Sequence, residues 1–288
     1  MKEHRFDNGG IFINYAEGAD NGPPLVLLHG GSLRWQAWRW VIDTLAARTH
    51  AFAPDLRGHG LSTWTPGSYR LFDYADDIAA FLERVVREPA ILLGHSLGGE
   101  VALIVAALHP SSALAVIDED GPLSGDIARR AIAPTRPMLE AMRDSAGSSL
   151  PDEDLIRHVA DVPLGFETGQ IIRFGDIPGV DEDELRWAAE TARQNDPEMV
   201  DAVIEFEAMH AGYDEALLTR IECPVVVLLA DPELGGLSED EVAHAETLLR
   251  DGRWIRASGL GHTMHDEDPE WFARTVLGLV HDFSRVRD

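Results

Sequence analysis

A serine at position 96 stands in a pattern that favours nucleophilic catalysis. It is the centre of Gly94-His95-Ser96-Leu97-Gly98, a G-x-S-x-G pentapeptide between the apolar run Ala90–Leu93 and a helical pattern. A tight strand-to-helix turn strains the serine backbone and leaves no room for side chains two residues before and after it, so glycine is needed at both places. The N-terminus of the following helix favours negative charge beside the serine. The pattern therefore predicts that Ser96 attacks an acyl carbon.

A second glycine-rich turn is predicted to stabilise the charge that such an attack creates. The segment His29-Gly30-Gly31-Ser32 directly follows a buried apolar run. An oxyanion hole needs backbone N–H groups aimed at the developing negative charge. We expect one from Leu97, the residue after the nucleophile, and one from Gly31.

The general base is predicted to be His262. It follows two glycines in Gly259-Leu260-Gly261-His262, shortly before the last helical pattern, and the chain contains 12 histidines, so position decides. Histidine titrates near neutral pH and accepts the proton of the serine hydroxyl. His265 is the alternative. His29 and His95 are interpreted as packing or hydrogen-bonding residues beside the site.

Alternating strand and helix patterns predict an α/β fold with a mostly parallel central sheet flanked by helices. Helices are predicted at Arg34–Ala47, at Gly98–Leu108 and from Pro269, with Asp268 as the N-cap of the last one. The predicted strands are Leu25–His29, Thr49–Pro54, Ala90–Leu93, Leu114–Ile117, Pro224–Leu229 and Arg253–Ala257.

Along nearly its whole length the chain resembles the α/β-hydrolase superfamily, in particular its serine-nucleophile members with a helical cap. The resemblance rests on the segments LVLLHGG, DLRGHGLS, GHSLGGE and GLGH, which begin at residues 25, 55, 94 and 259. It implies the α/β-hydrolase fold and water as the usual second substrate. DLRGHGLS, a turn rich in Gly and His, is assigned a structural role.

The acid that orients the histidine has three candidates. In the family it follows one of two strands. The earlier strand offers Asp120, which lies 120 − 96 = 24 residues after Ser96, within the run Asp118-Glu119-Asp120. The later one offers Asp231 and Glu233. We favour Asp120 and keep the other two as alternatives; the acid's task is to fix the histidine tautomer and stabilise the imidazolium.

The middle of the chain is predicted to be a helical cap. Residues 123–213 contain amphipathic helical patterns broken by prolines and no convincing strand, whereas residues 1–122 and 214–288 form the predicted core. Such a cap would cover an apolar pocket and exclude water from it. Six of its apolar residues could line that pocket, although helical spacing favours the cap's own core for most of them: Met138, Met142, Phe166, Trp187, Phe206 and Met209.

The composition limits the classes of molecule that we expect the protein to bind. The 288 residues carry a formal net charge of −26, which disfavours nucleic acids and anionic membranes and leaves neutral or cationic small molecules. Cys223 is the only cysteine, so an intramolecular disulfide cannot form. The first ten residues lack the apolar stretch of a signal peptide, so we expect a cytoplasmic protein. A homodimer is left open.

These residues predict a serine hydrolase that cleaves a carboxylic ester or lactone of a small, largely apolar substrate through an acyl-enzyme, without a metal or organic cofactor. The alternatives are a carbon–carbon bond hydrolase, or a cofactor-free perhydrolase or haloperoxidase, because the same residues suit that chemistry. A more distant alternative is a non-catalytic ligand-binding protein that retains the fold.

Overall fold

An eight-stranded sheet forms the centre of the molecule. The computed structural model describes residues 1–167 and 170–285. The strands are β1 (Lys2–Asn8), β2 (Ile11–Glu17), β3 (Pro24–Leu28), β4 (His50–Pro54), β5 (Ala90–His95), β6 (Ala113–Glu119), β7 (Pro163–Glu167), β8 (Gln170–Arg173), β9 (Val225–Ala230) and β10 (Gly252–Ala257). The order in the large sheet is β1-β2-β4-β3-β5-β6-β9-β10. Six neighbouring strands of this sheet are parallel, namely β4, β3, β5, β6, β9 and β10, and β1 and β2 add an antiparallel edge. The predicted mostly parallel sheet is confirmed.

Helices cover both faces of this sheet. They are α1 (Ile42–Ala46), α2 (Leu71–Phe81), α3 (Leu97–Leu108), α4 (Gly125–Ile132), α5 (Arg136–Ser145), α6 (Asp152–Ala160), α7 (Glu182–Arg193), α8 (Pro197–Glu205), α9 (Glu239–Leu248), α10 (Met264–Glu267) and α11 (Pro269–Arg285). A π-helical turn, Leu82–Val86, extends α2. Short 3-10 helices are Trp35–Trp40, Ala133–Thr135, Phe174–Asp176 and Glu215–Arg220.

The central strands bury side chains on both faces, as parallel strands do. In β3, Leu25 and Leu27 pack with α1 and α11, whereas Val26 and Leu28 pack with α2 and α3. Each of these four side chains is fully buried. The alternation follows from the two-residue period of a strand and explains why the sequence is continuously apolar here.

Three expectations about individual elements are corrected. The single helix predicted at Arg34–Ala47 is a 3-10 helix, Trp35–Trp40, followed by α1. The sequence prediction omitted β1 and β2. Residues 123–213 contain helices α4 to α8, as predicted, but the expectation of no strand there is wrong, because β7 and β8 form an antiparallel pair.

The strand order places a crevice where a site is expected. From β3 the chain crosses to β4 on one side, and it then returns to β5 on the other side of β3. Ligands of open α/β sheets bind outside the carboxyl ends of the strands at such a switch point. The predicted oxyanion turn follows β3 and Ser96 follows β5, so both lie at this point.

Within the described ranges, no helix combines the length and the apolar character that crossing a bilayer requires.

Candidate active site

Ser96 occupies a strained turn between β5 and α3. Its backbone has φ 51° and ψ −116°, a conformation that side-chain-bearing residues rarely adopt. A Cβ atom on Gly94 would lie 2.2 Å from the Gly98 carbonyl oxygen, and one on Gly98 would lie 2.0 Å from the Leu28 carbonyl oxygen. Both glycines are therefore required by close backbone contacts, as the sequence pattern predicts.

Two backbone N–H groups lie free beside this turn. Among the described residues, neither the N–H of Leu97 nor that of Gly31 donates a hydrogen bond to a protein acceptor. The two residues are neighbours, since a Cβ atom on Gly31 would lie 3.9 Å from Leu97 Cδ2. Two neighbouring unpaired donors of this kind can bind an oxyanion.

Two buried histidines hold the Gly31 turn. His29 accepts the N–H of Leu56 at Nε2 (3.0 Å), and His59 accepts the N–H of Ser32 at Nε2 (3.1 Å). Burial lowers the pKa of His29 to about 4 and that of His59 to about 3, so both rings are neutral acceptors at pH 7. His59 belongs to DLRGHGLS, and this contact gives that segment its structural task.

His262 is hydrogen-bonded to Asp120. The distance from His262 Nδ1 to Asp120 Oδ2 is 2.6 Å, and the carboxylate is buried at the end of β6. The same oxygen accepts the N–H of Gly236 (2.8 Å). Because the carboxylate can only accept here, Nδ1 carries the proton and Nε2 remains available as a base.

The other two candidate acids do not contact the His262 ring. Asp231 Oδ2 accepts the N–H of Gly259 (3.2 Å) and Oδ1 lies 3.6 Å from Arg256, so it supports the loop that leads to the histidine. The Gly259 N–H lowers the pKa of Asp231. Glu233 is exposed. Of the three predicted candidates, the structure therefore brings Asp120 to the histidine.

A second histidine–carboxylate pair lies next to the first. His265 Nδ1 contacts both carboxylate oxygens of Glu119 (2.9 and 2.8 Å), and the backbone N–H of His265 donates to the same carboxylate (2.9 Å). Both side chains are buried. Burial favours a neutral ring, but the Glu119 carboxylate outweighs it and raises the pKa of His265 above its ordinary value. His265, the alternative candidate for the base, is thus hydrogen-bonded to Glu119 and not to Asp120.

The histidine loop reaches Ser96 through His95. Among the described residues no hydrogen bond joins Ser96 to His262. Instead, the Nε2–H of His95 donates to the His262 carbonyl oxygen over 3.1 Å, and the two rings are 4.7 Å apart between centroids. Burial, together with the nearby His262 and His265, lowers the pKa of His95 well below its ordinary value. His95 therefore lies, as a neutral ring, between the Ser96 turn and the His262 loop.

A cavity of about 400 Å³ lies beside this arrangement. The oxyanion turn contributes Ser32 and Leu33 to its wall, and the loop of the candidate base contributes Thr263. The remaining wall consists largely of residues from 123–213, including the predicted Met138, Met142 and Trp187. Phe206 and Met209 are not among its described lining residues, and the side chain of Phe166 lies outside the described part of the chain.

Comparison with known proteins identifies the family. The model of the alpha/beta hydrolase family matches residues 25–275. The chain belongs to this family. The matched range includes β3, the Ser96 turn and the His262 loop, and the fold agrees with the one expected from the sequence motifs.

Characterised relatives differ in what their names say they act on. The chain is 36% identical over 116 residues to a 2-(acetamidomethylene)succinate hydrolase of Mesorhizobium japonicum, a match covering 40% of this chain and 41% of that protein. It is 24% identical over 281 residues to a bifunctional esterase/perhydrolase of Acinetobacter calcoaceticus, covering 94% and 96%. A crystal structure of E-2-(acetamidomethylene)succinate hydrolase covers 97% of this chain and 99% of its own, with a TM-score of 0.74 and 24% identity. These likenesses support a hydrolase without naming a substrate.

Sequence reasoning missed the Glu119–His265 pair and the hydrogen bonds of Asp231. A signal for the pair was present: two consecutive carboxylates end β6, and two histidines stand three residues apart in one loop. The spacing from Ser96 favours Asp120 as the partner of His262, but nothing in the sequence indicates that Glu119 meets His265, because the two segments are far apart in the chain: Asp120 and His262 are separated by 142 residues.

Proposed function

We propose that this alpha/beta hydrolase cleaves a carboxylic ester or lactone of a small, largely apolar substrate, with Ser96 as nucleophile, His262 as base and Asp120 as the orienting acid. The observation that carries the proposal is the 2.6 Å hydrogen bond from His262 Nδ1 to a buried carboxylate, in a loop tied to the strained Ser96 turn through His95. A free Nε2, a strained serine and two unpaired N–H groups are the parts that acyl transfer needs.

The reaction takes place in two steps. Ser96 Oγ bonds to the carbonyl carbon while His262 Nε2 takes its proton, and the N–H groups of Gly31 and Leu97 stabilise the oxyanion. The tetrahedral intermediate expels the alcohol, which receives the proton from His262. Water, deprotonated by His262, then attacks the acyl-enzyme; the bond between the acyl carbon and Ser96 Oγ breaks, the acid is released, and His262 returns the proton to Ser96 Oγ. Asp120 stabilises the imidazolium in both steps.

In this proposal residues 123–213 form a cap over the substrate. The support is that the cavity has one wall from this segment and one from the turns that carry Ser32 and Thr263. Two contacts connect the walls: Asn195 Nδ2 donates to the Ser32 carbonyl oxygen (2.7 Å), and Arg34 Nε donates to Thr191 Oγ1 (3.0 Å). An enclosed apolar wall favours a hydrophobic acyl group and excludes water.

The substrate of the Mesorhizobium relative is not carried over. Its name, 2-(acetamidomethylene)succinate, denotes a dicarboxylate, and a site for two carboxylates needs basic side chains. In the described part of this chain no Lys, Arg or His lines the cavity. A perhydrolase is the second candidate, favoured by the likeness to the Acinetobacter esterase/perhydrolase over 94% of this chain.

The test is hydrolysis of a panel of 4-nitrophenyl esters and simple lactones by the wild type, Ser96→Ala and Ser111→Ala. Ser111 is the matched control, because it is exposed in the turn before β6, at the opposite end of the sheet. We expect Ser96→Ala to lose at least about a thousandfold in kcat/KM and Ser111→Ala to retain wild-type activity.

A fluorophosphonate probe and mass spectrometry distinguish the remaining alternatives. We expect one covalent adduct on Ser96 in the wild type. A folded protein that forms no adduct and hydrolyses no ester would be a ligand-binding member of the family, and the proposal would be wrong. If the wild type forms peracetic acid from acetate and hydrogen peroxide and Ser96→Ala does not, the result would instead favour the perhydrolase.

A further inference from the structure

The cavity beside the candidate site has an apolar part and an acidic part. Met138, Met142, Val159 and Phe174 contribute to its apolar wall. The charged residues among its described lining are Glu184, from α7, and Asp266, from α10. Asp266 follows Thr263 by three residues, so this carboxylate lies on the short helix that begins directly after the His262 loop, whereas Glu184 comes from the segment 123–213.

Arg39 balances one of the two carboxylates. Its Nη2 lies 2.5 Å from Glu184 Oε1, and its guanidinium stacks 4.0 Å from the Trp187 ring centroid. The guanidinium is not part of the cavity lining; the carboxylates are. Burial raises the pKa of Asp266, opposed by His265 and Arg39 and reinforced by Glu184, so these groups are close enough to interact. Glu184, Asp266 and Arg39 together carry a formal net charge of −1.

We propose that Glu184 and Asp266 make this site selective by charge, accepting uncharged acyl groups and rejecting acyl groups that end in a carboxylate. The inference rests on the proposed esterase function and names its substrate class. An entering carboxylate would lose its hydration in an apolar cavity, meet two like charges and find no cationic partner on the wall. An uncharged acyl group of the same shape has no charge to desolvate and is not repelled by the two carboxylates.

The size of the effect follows from Coulomb's law. One unit of net charge about 10 Å away, at an effective dielectric constant of about 20, changes binding roughly ten- to twentyfold. Replacing Glu184 by glutamine removes one negative charge and leaves the Arg39 guanidinium without its partner. Replacing Asp266 by asparagine as well changes the net charge of the group from −1 to +1. The double variant should therefore prefer the anionic substrate.

The experiment compares two 4-nitrophenyl esters of nearly equal size at pH 8: the 6-methylheptanoate and the half ester of adipic acid, in which a carboxylate takes the place of the terminal isopropyl group. Rates are corrected with Ser96→Ala. We expect the wild type to have at least about a tenfold higher kcat/KM for the 6-methylheptanoate. Glu184→Gln/Asp266→Asn should lower this ratio at least about a hundredfold. Glu222→Gln is the matched control, because Glu222 is exposed just before β9, at the far end of the sheet.

Calorimetric binding of 6-methylheptanamide and of adipic acid monoamide tests the cavity without any turnover. If both esters are hydrolysed equally and both amides bind equally, the charge selectivity is wrong and the esterase function stands. If no ester is hydrolysed but the neutral amide binds better, the esterase function fails and the selectivity stands. Selectivity in the wild type that is unchanged in the folded double variant would overturn the roles of Glu184 and Asp266.

Discussion

Replacing Asp120 by asparagine separates the charge of the candidate acid from its hydrogen bond. In the wild type one oxygen, Oδ2, accepts both from His262 Nδ1 (2.6 Å) and from the N–H of Gly236 (2.8 Å), whereas Oδ1 has no hydrogen-bond partner among the described residues. In the Asp120→Asn variant, the Gly236 N–H favours an oxygen at the shared position, so the amide nitrogen takes the place of Oδ1. His262 would then keep its tautomer, but the negative charge beside its ring would be gone.

The activity that Asp120→Asn loses is therefore mainly the electrostatic contribution of the carboxylate. A carboxylate about 4 Å from the centre of an imidazolium charge contributes about 4 kcal/mol at an effective dielectric constant of about 20. The charge on the ring is incomplete in the transition state, so we expect about 3–4 kcal/mol, or a loss of kcat/KM between about a hundredfold and a thousandfold. Asp120→Ala removes the acceptor too, frees the ring and should lose at least about tenfold more.

The assay is kcat/KM on the best ester of the panel, with the thermal midpoint of unfolding as a control for folding. Asp231→Asn and Glu233→Gln are measured alongside, and each should lose less than about tenfold, since neither contacts the His262 ring. The reasoning would be refuted by Asp120→Asn with more than a third of wild-type activity. A greater loss in Asp231→Asn than in Asp120→Asn would transfer the role to the later strand.

Two further predictions concern the elements that hold the site. Gly98→Ala should abolish activity and lower the thermal midpoint of unfolding, because its Cβ would lie 2.0 Å from the Leu28 carbonyl oxygen; a folded, active variant would show that this approach is not needed. Glu119→Gln should destabilise the protein more at pH 6 than at pH 9. Glu119 raises the pKa of His265, so the stability from this pair is complete below the unfolded-state pKa of about 6.5 and is lost as the pH rises through the folded-state pKa. Urea unfolding at both pH values measures this, and an equal loss at both would contradict a charged His265.

The nucleophile turn could be read from the sequence because all its parts are consecutive. The apolar run of β5, the glycines on either side of Ser96 and the start of α3 lie within a few residues of one another. The steric requirement is also local, since the contacts of Gly94 are with Gly98 and Gly99. Motif and structure therefore agree at this position.

Other elements escaped prediction for identifiable reasons. Segment 34–47 has one helical periodicity, yet it divides at Val41, whose φ of −120° ends the 3-10 helix before α1 begins. The strands β7 and β8 are five and four residues long, too short for a period of two to stand out from the helices around them. β1 and β2 have exposed and mixed positions, so they lack the continuous apolar pattern of the central strands.

The pairing of acids with histidines needed the fold, because it depends on how two adjacent residues leave one strand. Successive side chains of a strand point to opposite faces. Glu119 is still in β6 and meets His265, whereas Asp120 has φ 49°, which turns the chain and directs the next carboxylate to His262. A left-handed aspartate cannot be recognised from its neighbours in the sequence, so Asp120 was favoured by its spacing alone, and Asp231 and Glu233 remained alternatives until this conformation was known.

The same strand end also holds the backbone of Ser96. The Glu119 carbonyl oxygen accepts the N–H of Ser96 (3.1 Å), while its side chain holds the backbone and the ring of His265. One residue thus connects the Ser96 turn to the loop of His262, and the next residue, Asp120, orients the His262 ring. A shift of this strand end would therefore move Ser96 and the His262 loop together. This shared attachment explains why His265, a histidine outside the proposed proton transfer, is buried and paired three residues from the base.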